Sequence, residues 1–339
     1  MAVLITGGAG YIGSHMVHAL SDAGEACVVL DDLSTGSREA LPEGVPLVVG
    51  DVGDQALVRR LAASYGVDAV AHFAARIVAP ESVADPVGYY VANTGRTLAL
   101  LGAVRDAGVR RFIFSSTAAV YGVSPPTPTR EDAPLAPASP YGASKMMSER
   151  ILADVAAAHG IEFVTLRYFN VAGADPLLRT GQRLPGATNL ITVAIRAALG
   201  LNRGLEVYGT NLPTPDGTGV RDYIHVRDLA NAHVAALGHL RAGGRSLTLN
   251  CGYGWGYSVR DVIASVKRVS GVDFPVTARP ARPGDPYVSI ADAGAIREAL
   301  GWRPERADLD LIVGDALRFE QRWRANETRR PAKARRRAG

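Results

Sequence analysis

The sequence predicts an α/β protein, with a doubly wound parallel sheet in the N-terminal part and a smaller C-terminal α/β domain after it. Three observations carry this. Short apolar runs alternate with stretches of helical apolar spacing through the first half, the pattern of βαβ units with right-handed crossovers. A glycine-rich segment, VLITGGAGYIG at 3–13, joins the first run to the first helix. Beyond about residue 175 the alternation gives way to long loops rich in Pro and Gly. The chain has 339 residues and is 47% hydrophobic, enough for one large domain or two coupled ones with a sizeable core.

Strands are expected at 3–6, 26–30, 47–49, 69–74, 111–115 and 163–167. Helices are expected at 12–23, 55–65, 89–107 and 141–159, the last three stopped by Gly66, Gly108 and Gly160. In the second half, 190–199 and 226–240 have helical spacing, while 184–189 and 210–219 read as long loops. The expected division is residues 1–175 for the first domain and 176–325 for the second, with some elements interleaved, then a basic, disordered tail at 326–339.

That tail accounts for the basic character. Arg329, Arg330, Lys333, Arg335, Arg336 and Arg337 lie there, and without those six charges the formal net charge falls from +4 to −2. The tail has no aromatics and no apolar period, so nucleic acid is not an expected partner. No apolar run reaches the roughly 18–20 residues of a membrane-spanning helix. The first strand-like run follows Met1 directly, with no signal-peptide pattern, and a cytoplasmic location is expected. The two cysteines, Cys27 and Cys251, are read as buried free thiols.

Gly8, Gly10 and Gly13 satisfy G-x-G-x-x-G, with Gly7 just ahead, between a strand and a helix. Glycine permits the tight turn and a close backbone approach to a pyrophosphate, and the helix N-terminus offers free N–H groups and a positive dipole end. This is a Rossmann-type dinucleotide site. Asp31 ends the second strand, 18 residues after Gly13. A carboxylate there accepts from ribose hydroxyls and repels a 2′-phosphate, so the expected cofactor is NAD rather than NADP. Asp51, with Val52 after it, is read either as an adenine contact or as a helix N-cap.

Tyr141 and Lys145, in PYGASK at 140–145, are four apart at the start of a helix and share a face. An ammonium beside a phenol favours the phenolate, which makes Tyr141 a feasible general base. Thr117 lies just past a strand, on the edge where doubly wound sheets bind ligands. Its alternative reading, shared with Ser115 and Ser116, is local turn capping.

Together with HFAA, ESV, FIFSSTAAVYG, LRYFNVAGA and DGTGVRDYIHVRDLA at 216–230, these runs make the chain resemble the extended short-chain dehydrogenase/reductase family, and most closely its nucleotide-sugar 4-epimerases, to about residue 320. The resemblance implies NAD-dependent 4-epimerisation of a UDP-hexose, UDP-galactose to UDP-glucose, through a 4-keto sugar that turns about its diphosphate link. It implies that Tyr141 exchanges the proton of the 4-hydroxyl, that Lys145 holds the nicotinamide ribose and that Thr117 orients the proton. The cofactor set it implies is Gly7, Gly10, Tyr11, Ile12, Gly13, Asp31, Asp51, Val52, Phe73, Ala74, Asn93, Ser115, Tyr141, Lys145 and Tyr168. The substrate set is Thr117, Asn170, Asn189, Leu190, Tyr208, Arg221, Arg282, Asp285 and Ser289, with Arg221 and Arg282 on the diphosphate and Tyr208 by the uracil. A homodimer through the helices near 89–107 and 141–158 is also implied.

The chain departs from the family pattern in places. Thr117 replaces a common serine, Ile77 stands at a usual lysine with Arg76 beside it, and 93–97 reads NTGRT. Ser289 occupies a gate position where a bulky aromatic restricts some members to unacetylated sugars; a small residue there implies some turnover of UDP-N-acetylglucosamine. Other readings are an epimerase for a UDP-uronate, a sugar-nucleotide 4,6-dehydratase or a non-catalytic NAD-binding protein. Ala118 and Ala119 stand where a dehydratase would carry an Asp-Glu pair, and the intact Tyr141, Lys145 and Thr117 weigh against loss of catalysis.

Overall fold

The computed structural model describes residues 1–123, 128–282 and 284–329. In chain order the first half contains β1 (Ala2–Thr6), α1 (Tyr11–Asp22), β2 (Cys27–Asp31), β3 (Leu47–Val49), α2 (Gln55–Tyr65), β4 (Val67–His72), α3 (Ala79–Ala84), α4 (Pro86–Tyr89), α5 (Arg96–Asp106), β5 (Arg111–Thr117), α6 (Pro140–His159), β6 (Glu162–Tyr168) and β7 (Asn170–Ala172). The second contains α7 (Leu190–Ala198), β8 (Leu205–Tyr208), β9 (Val220–Arg221), β10 (Tyr223–His225), α8 (Val226–Arg241), β11 (Leu247–Cys251), β12 (Tyr257–Ser258), α9 (Val259–Ser270), β13 (Val276–Arg279), β14 (Val288–Ser289), α10 (Gly294–Leu300) and α11 (Leu309–Arg329).

Seven parallel strands form the main sheet in the order β11-β6-β5-β4-β1-β2-β3. Its inner strands are continuously apolar because both faces are covered. Val3, Ile5 and Val29 point into one buried cluster, with α1 and α8; Leu4, Val28 and Leu30 point into the other, with α2, α5 and α6. That is the two-residue period of a strand. The order reverses at β1, which opens a crevice at the carboxyl ends of β1 and β4. β11 comes from the second half of the chain yet completes the edge beside β6.

Smaller sheets lie beyond this one: β10 with β7, β13 with β8, and β12-β9-β14. Acidic residues of the 216–230 run clasp these loops. Asp222 accepts from the backbone N–H of Tyr253 and Gly254, and Asp228 accepts from Tyr253 Oη and from the N–H of Glu305 and Arg306.

Two expectations are corrected. The helix expected at 89–107 is interrupted by a wide π turn, Tyr90–Gly95, between α4 and α5. Thr97 Oγ1 takes the carbonyl of Asn93 at 2.5 Å there, a local competitor for the backbone ladder. Residues 326–329, expected to begin a disordered tail, are helical, because α11 runs to Arg329, with Arg324 paired to Glu320 one turn earlier at 3.0 Å. The rest of that tail lies outside the described residues. Cys27 and Cys251 are buried and free. Among the described residues no helix is long and apolar enough to cross a membrane.

Candidate active site

The glycine loop is shaped by backbone contacts that only glycine allows. Gly7 has φ +69°, and a Cβ there would sit 2.5 Å from the Ala74 nitrogen. A Cβ on Gly13 would meet the Gly7 carbonyl oxygen at 2.3 Å. Gly10 is the N-cap of α1 and offers no side-chain cap, so the first-turn N–H groups, those of Tyr11 and Ile12 among them, are left for an anion. Tyr11 ties the loop to the segment after β7 by donating to the Gly173 carbonyl at 2.7 Å.

Asp31 braces this loop from β2. Its carboxylate accepts from the N–H of Ala9 at 2.9 Å and Leu33 at 2.8 Å, and burial holds its pKa above the usual carboxylate value. Asp51 does not cap α2; Asp54 does, by accepting from Leu57 N–H at 2.9 Å. Asp51 accepts from Gly53 N–H at 2.8 Å and pairs with Arg96 at 2.7 Å, with Val52 buried beside it.

The strand expected to reach residue 74 ends at His72. Phe73 donates its N–H to the Thr6 carbonyl at 2.9 Å, and the chain then crosses above Gly7. Asn93 secures this crossing segment. It is 1% exposed, bonds both backbone groups of Arg76, at 2.8 and 2.9 Å, and donates to Ser144 Oγ at 3.0 Å. Arg76 itself lies over the Tyr89 ring at 4.4 Å and pairs with Asp85 at 2.6 Å, while Ile77 is exposed.

The PYGASK segment is a complete helix start. Ser139 caps α6 by accepting from Gly142 N–H at 3.3 Å, and Pro140 occupies the first turn. A Cβ on Gly142 would lie 2.5 Å from the Ala119 carbonyl oxygen, so glycine lets the helix start press against the turn after Thr117. Tyr141 and Thr117 are thereby brought close, so that the Thr117 side chain acts on the phenol. Both are 8% exposed and Lys145 is 3% exposed, with Nζ 4.5 Å from the Phe114 ring centre. Ser115 Oγ and Tyr168 Oη are 2.8 Å apart.

Burial raises the Tyr141 phenol to about 12, with the Thr117 side chain acting downward. Burial also lowers the Lys145 ammonium to about 8, with Glu149 acting upward. In the chain by itself, desolvation of an enclosed phenolate is the largest influence on Tyr141; the expected lowering is for Lys145 acting together with a positive nicotinamide ring.

The second-half residues form another group. Strand register sets Arg221 beside Tyr257 on one side and Ser289 on the other. Arg221 donates to the carbonyls of Val220 and Tyr287 and feels the charge of Asp285. Arg282 stacks on Tyr208, its guanidinium carbon 3.8 Å from the ring centre, and Tyr208 donates to Glu206 at 2.6 Å. Asn189 caps α7 by accepting from Thr192 N–H at 2.9 Å, just before Leu190. Asn170 starts β7 and is exposed. A Cβ on Gly284 would come within 3.9 Å of Ala138, so the segment from Gly284 to Ser289 borders the start of α6.

A family model described as "NAD dependent epimerase/dehydratase family" matches residues 3–252. The chain belongs to this family. It is 57% identical over 319 residues to a UDP-glucose 4-epimerase of Azospirillum brasilense, covering 94% of this chain and 92% of that one. Its fold superposes on UDP-glucose 4-epimerase from Brucella ovis in complex with NAD, with a TM-score of 0.91, 44% identity and 94% and 97% of the two chains covered. The UDP-Glc/GlcNAc 4-epimerase of Campylobacter jejuni matches with a TM-score of 0.83 at 44% identity, over 95% and 99% of the chains.

Sequence reasoning passed over two groups of this family site. His72 is buried between Thr6 at 2.7 Å and Thr97 at 2.9 Å and is held neutral, its pKa lowered to about 3 chiefly by burial. Asp222, next to Arg221, is raised to about 6 by burial and fixes the loop that carries Tyr253 and Gly254. The density of acids in the 216–230 run was the available signal for the second.

Proposed function

We propose that this protein is an NAD-dependent UDP-hexose 4-epimerase that interconverts UDP-galactose and UDP-glucose through a 4-keto intermediate. The observation that carries it is the buried trio of Tyr141, Thr117 and Lys145, the lysine one turn after the tyrosine on α6, in a chain of this epimerase family. The cradle at Gly7, Gly10 and Gly13 and the carboxylate of Asp31 fit NAD. Bound there, NAD would provide reversible two-electron acceptor chemistry for sugar C4.

The chain's own residues manage the proton and the pose. Tyr141 Oη takes the proton of the 4-hydroxyl as the C4 oxygen becomes a carbonyl, and gives it back on the return. Thr117, buried beside the phenol, aligns that proton. Lys145 contributes the positive charge that offsets the cost of a buried phenolate. Arg221 and Arg282 hold the diphosphate, for which the planar guanidinium is suited, and Tyr208 flanks the uracil. Fixing that remote handle lets binding energy steady the substrate while the sugar turns. The test is a coupled assay of purified protein without added NAD: UDP-galactose is expected to give UDP-glucose. No conversion, even with NAD supplied, would sink the reading.

Ser289 is small and in register beside Arg221, which supports admission of a 2-acetamido group. Turnover of UDP-N-acetylglucosamine is expected, and Ser289→Tyr should suppress it while sparing UDP-galactose. Activity on UDP-galactose alone in the unmodified protein would reject this.

An exposed apolar face supports a homodimer. Val87, Val91, Leu98 and Met147 are 72, 59, 52 and 42% exposed along α4 to α6, beside a groove lined by Met146 and Ile151. Sedimentation should give twice the chain mass, and Val91→Glu/Met147→Glu should give a monomer. A monomeric parent protein would exclude the dimer.

A further inference from the structure

Beneath Tyr141 and Lys145 lies a buried carboxylate that the steps above leave unused. Glu149 sits on α6 one turn after Lys145 and is 9% exposed. It accepts from Ser116 Oγ and receives three bonds from Arg167, two from Nε at 3.1 Å and one from Nη2 at 2.6 Å. Arg167 is 6% exposed and also donates to Tyr121 Oη at 3.0 Å and the Glu131 carbonyl at 3.1 Å. Tyr121 in turn donates to Asn250 on β11 at 2.7 Å.

Stability alone is a weak reason for such a pair, because apolar replacements of similar volume are often neutral or stabilising. Its placement is informative. Ser116 stands between Ser115 and Thr117 on β5, Arg167 precedes Tyr168 on β6, and Glu149 shares a helix face with Lys145. One carboxylate therefore ties together the three elements that carry the reacting constellation. The groups facing Lys145 are the Phe114 ring, the neutral His72, Tyr141 on the preceding turn and Glu149. Those facing Glu149 are Ser116, Arg167 and Lys145.

We propose that Glu149 is a positioning residue of the active site, which keeps Lys145 charged and holds α6 in register with Thr117 and Tyr168. This rests on reading Tyr141 and Lys145 as the proton-handling pair. The charge of Glu149 opposes the desolvation of Lys145, and its bonds to Ser116 and Arg167 hold it in place to do so.

The test replaces the pair together, since removing one partner would strand a buried charge. Glu149→Gln/Arg167→Gln keeps shape and polarity, and Glu149→Met/Arg167→Met is the apolar form that preserves folding if the first does not. The pH dependence of kcat and KM for UDP-galactose is compared with that of the unmodified protein, with circular dichroism and melting as folding controls. The alkaline limb of kcat should move down by about one pH unit, so that kcat falls about tenfold above the shifted limb and recovers below it, with KM unchanged. A folded double variant with an unmoved limb overturns the proposal. An unmodified protein without activity overturns the epimerase reading instead.

Discussion

Tyr141→Phe is expected to lower kcat for UDP-galactose by about 10³-fold, the middle of the range for loss of a positioned general base, and to leave KM little changed. The phenol ring packs in an enclosed site, so phenylalanine preserves shape and removes the hydroxyl that handles the proton. The unmodified enzyme should carry an alkaline limb near pH 8, where Lys145 loses its charge. The sign follows from Lys145 acting as an ammonium: its help is complete below its pKa and lost as pH rises through it. Activity lost at low pH would reflect protonation of the phenolate that bound cofactor and Lys145 sustain. Initial rates of the folded variant, with bound NAD quantified, decide the matter. A variant with NAD bound and unimpaired kcat would remove Tyr141 from the mechanism.

Gly7→Ala is expected to yield protein that purifies without NAD and melts at lower temperature. Two costs combine. A left-handed backbone at φ +69° costs a non-glycine residue about 1–2 kcal/mol, and the new Cβ would lie 2.5 Å from the Ala74 nitrogen, so the segment above the glycine loop must shift. Gly24→Ala separates them, because Gly24 has φ +70° but no atom within 4 Å of its would-be Cβ. That control should lose a similar amount of stability from the backbone alone and keep its NAD. NAD released on denaturation and the melting temperature are the readouts. Equal NAD retention in both variants would show that the close approach at Ala74 does not shape the cofactor site.

Much of this molecule is legible in its residues. The alternating apolar runs of the first half place β1 to β6 within a few residues, because buried parallel strands are continuous in hydrophobicity and need no partner to be recognised. Gly66 and Gly160 mark the ends of α2 and α6 with left-handed caps, as local sterics dictate. Segments whose structure depends on distant partners are less visible. β12, β9 and β14 are two-residue strands that exist through their mutual register. The π turn at Tyr90–Gly95 depends on what Asn93 and Thr97 find around them.

The site divides along the same line. Gly7, Gly10, Gly13 and Asp31 form a short-range motif, and Ser139, Pro140, Tyr141 and Lys145 lie within two helical turns, so spacing alone aligned them. The meeting of Thr117 with Tyr141 needed Gly142 against the Ala119 carbonyl, and the bracing of Lys145 needed Ser116, Glu149 and Arg167 from three elements. The sequence by itself determined the sheet and the glycine loop and singled out Tyr141 and Lys145 as candidates, because each follows from neighbours within a turn or two. Tertiary structure alone decided burial, and burial shifts the titration of Tyr141 and Lys145: desolvation is a property of everything packed around a group, which no local spacing encodes.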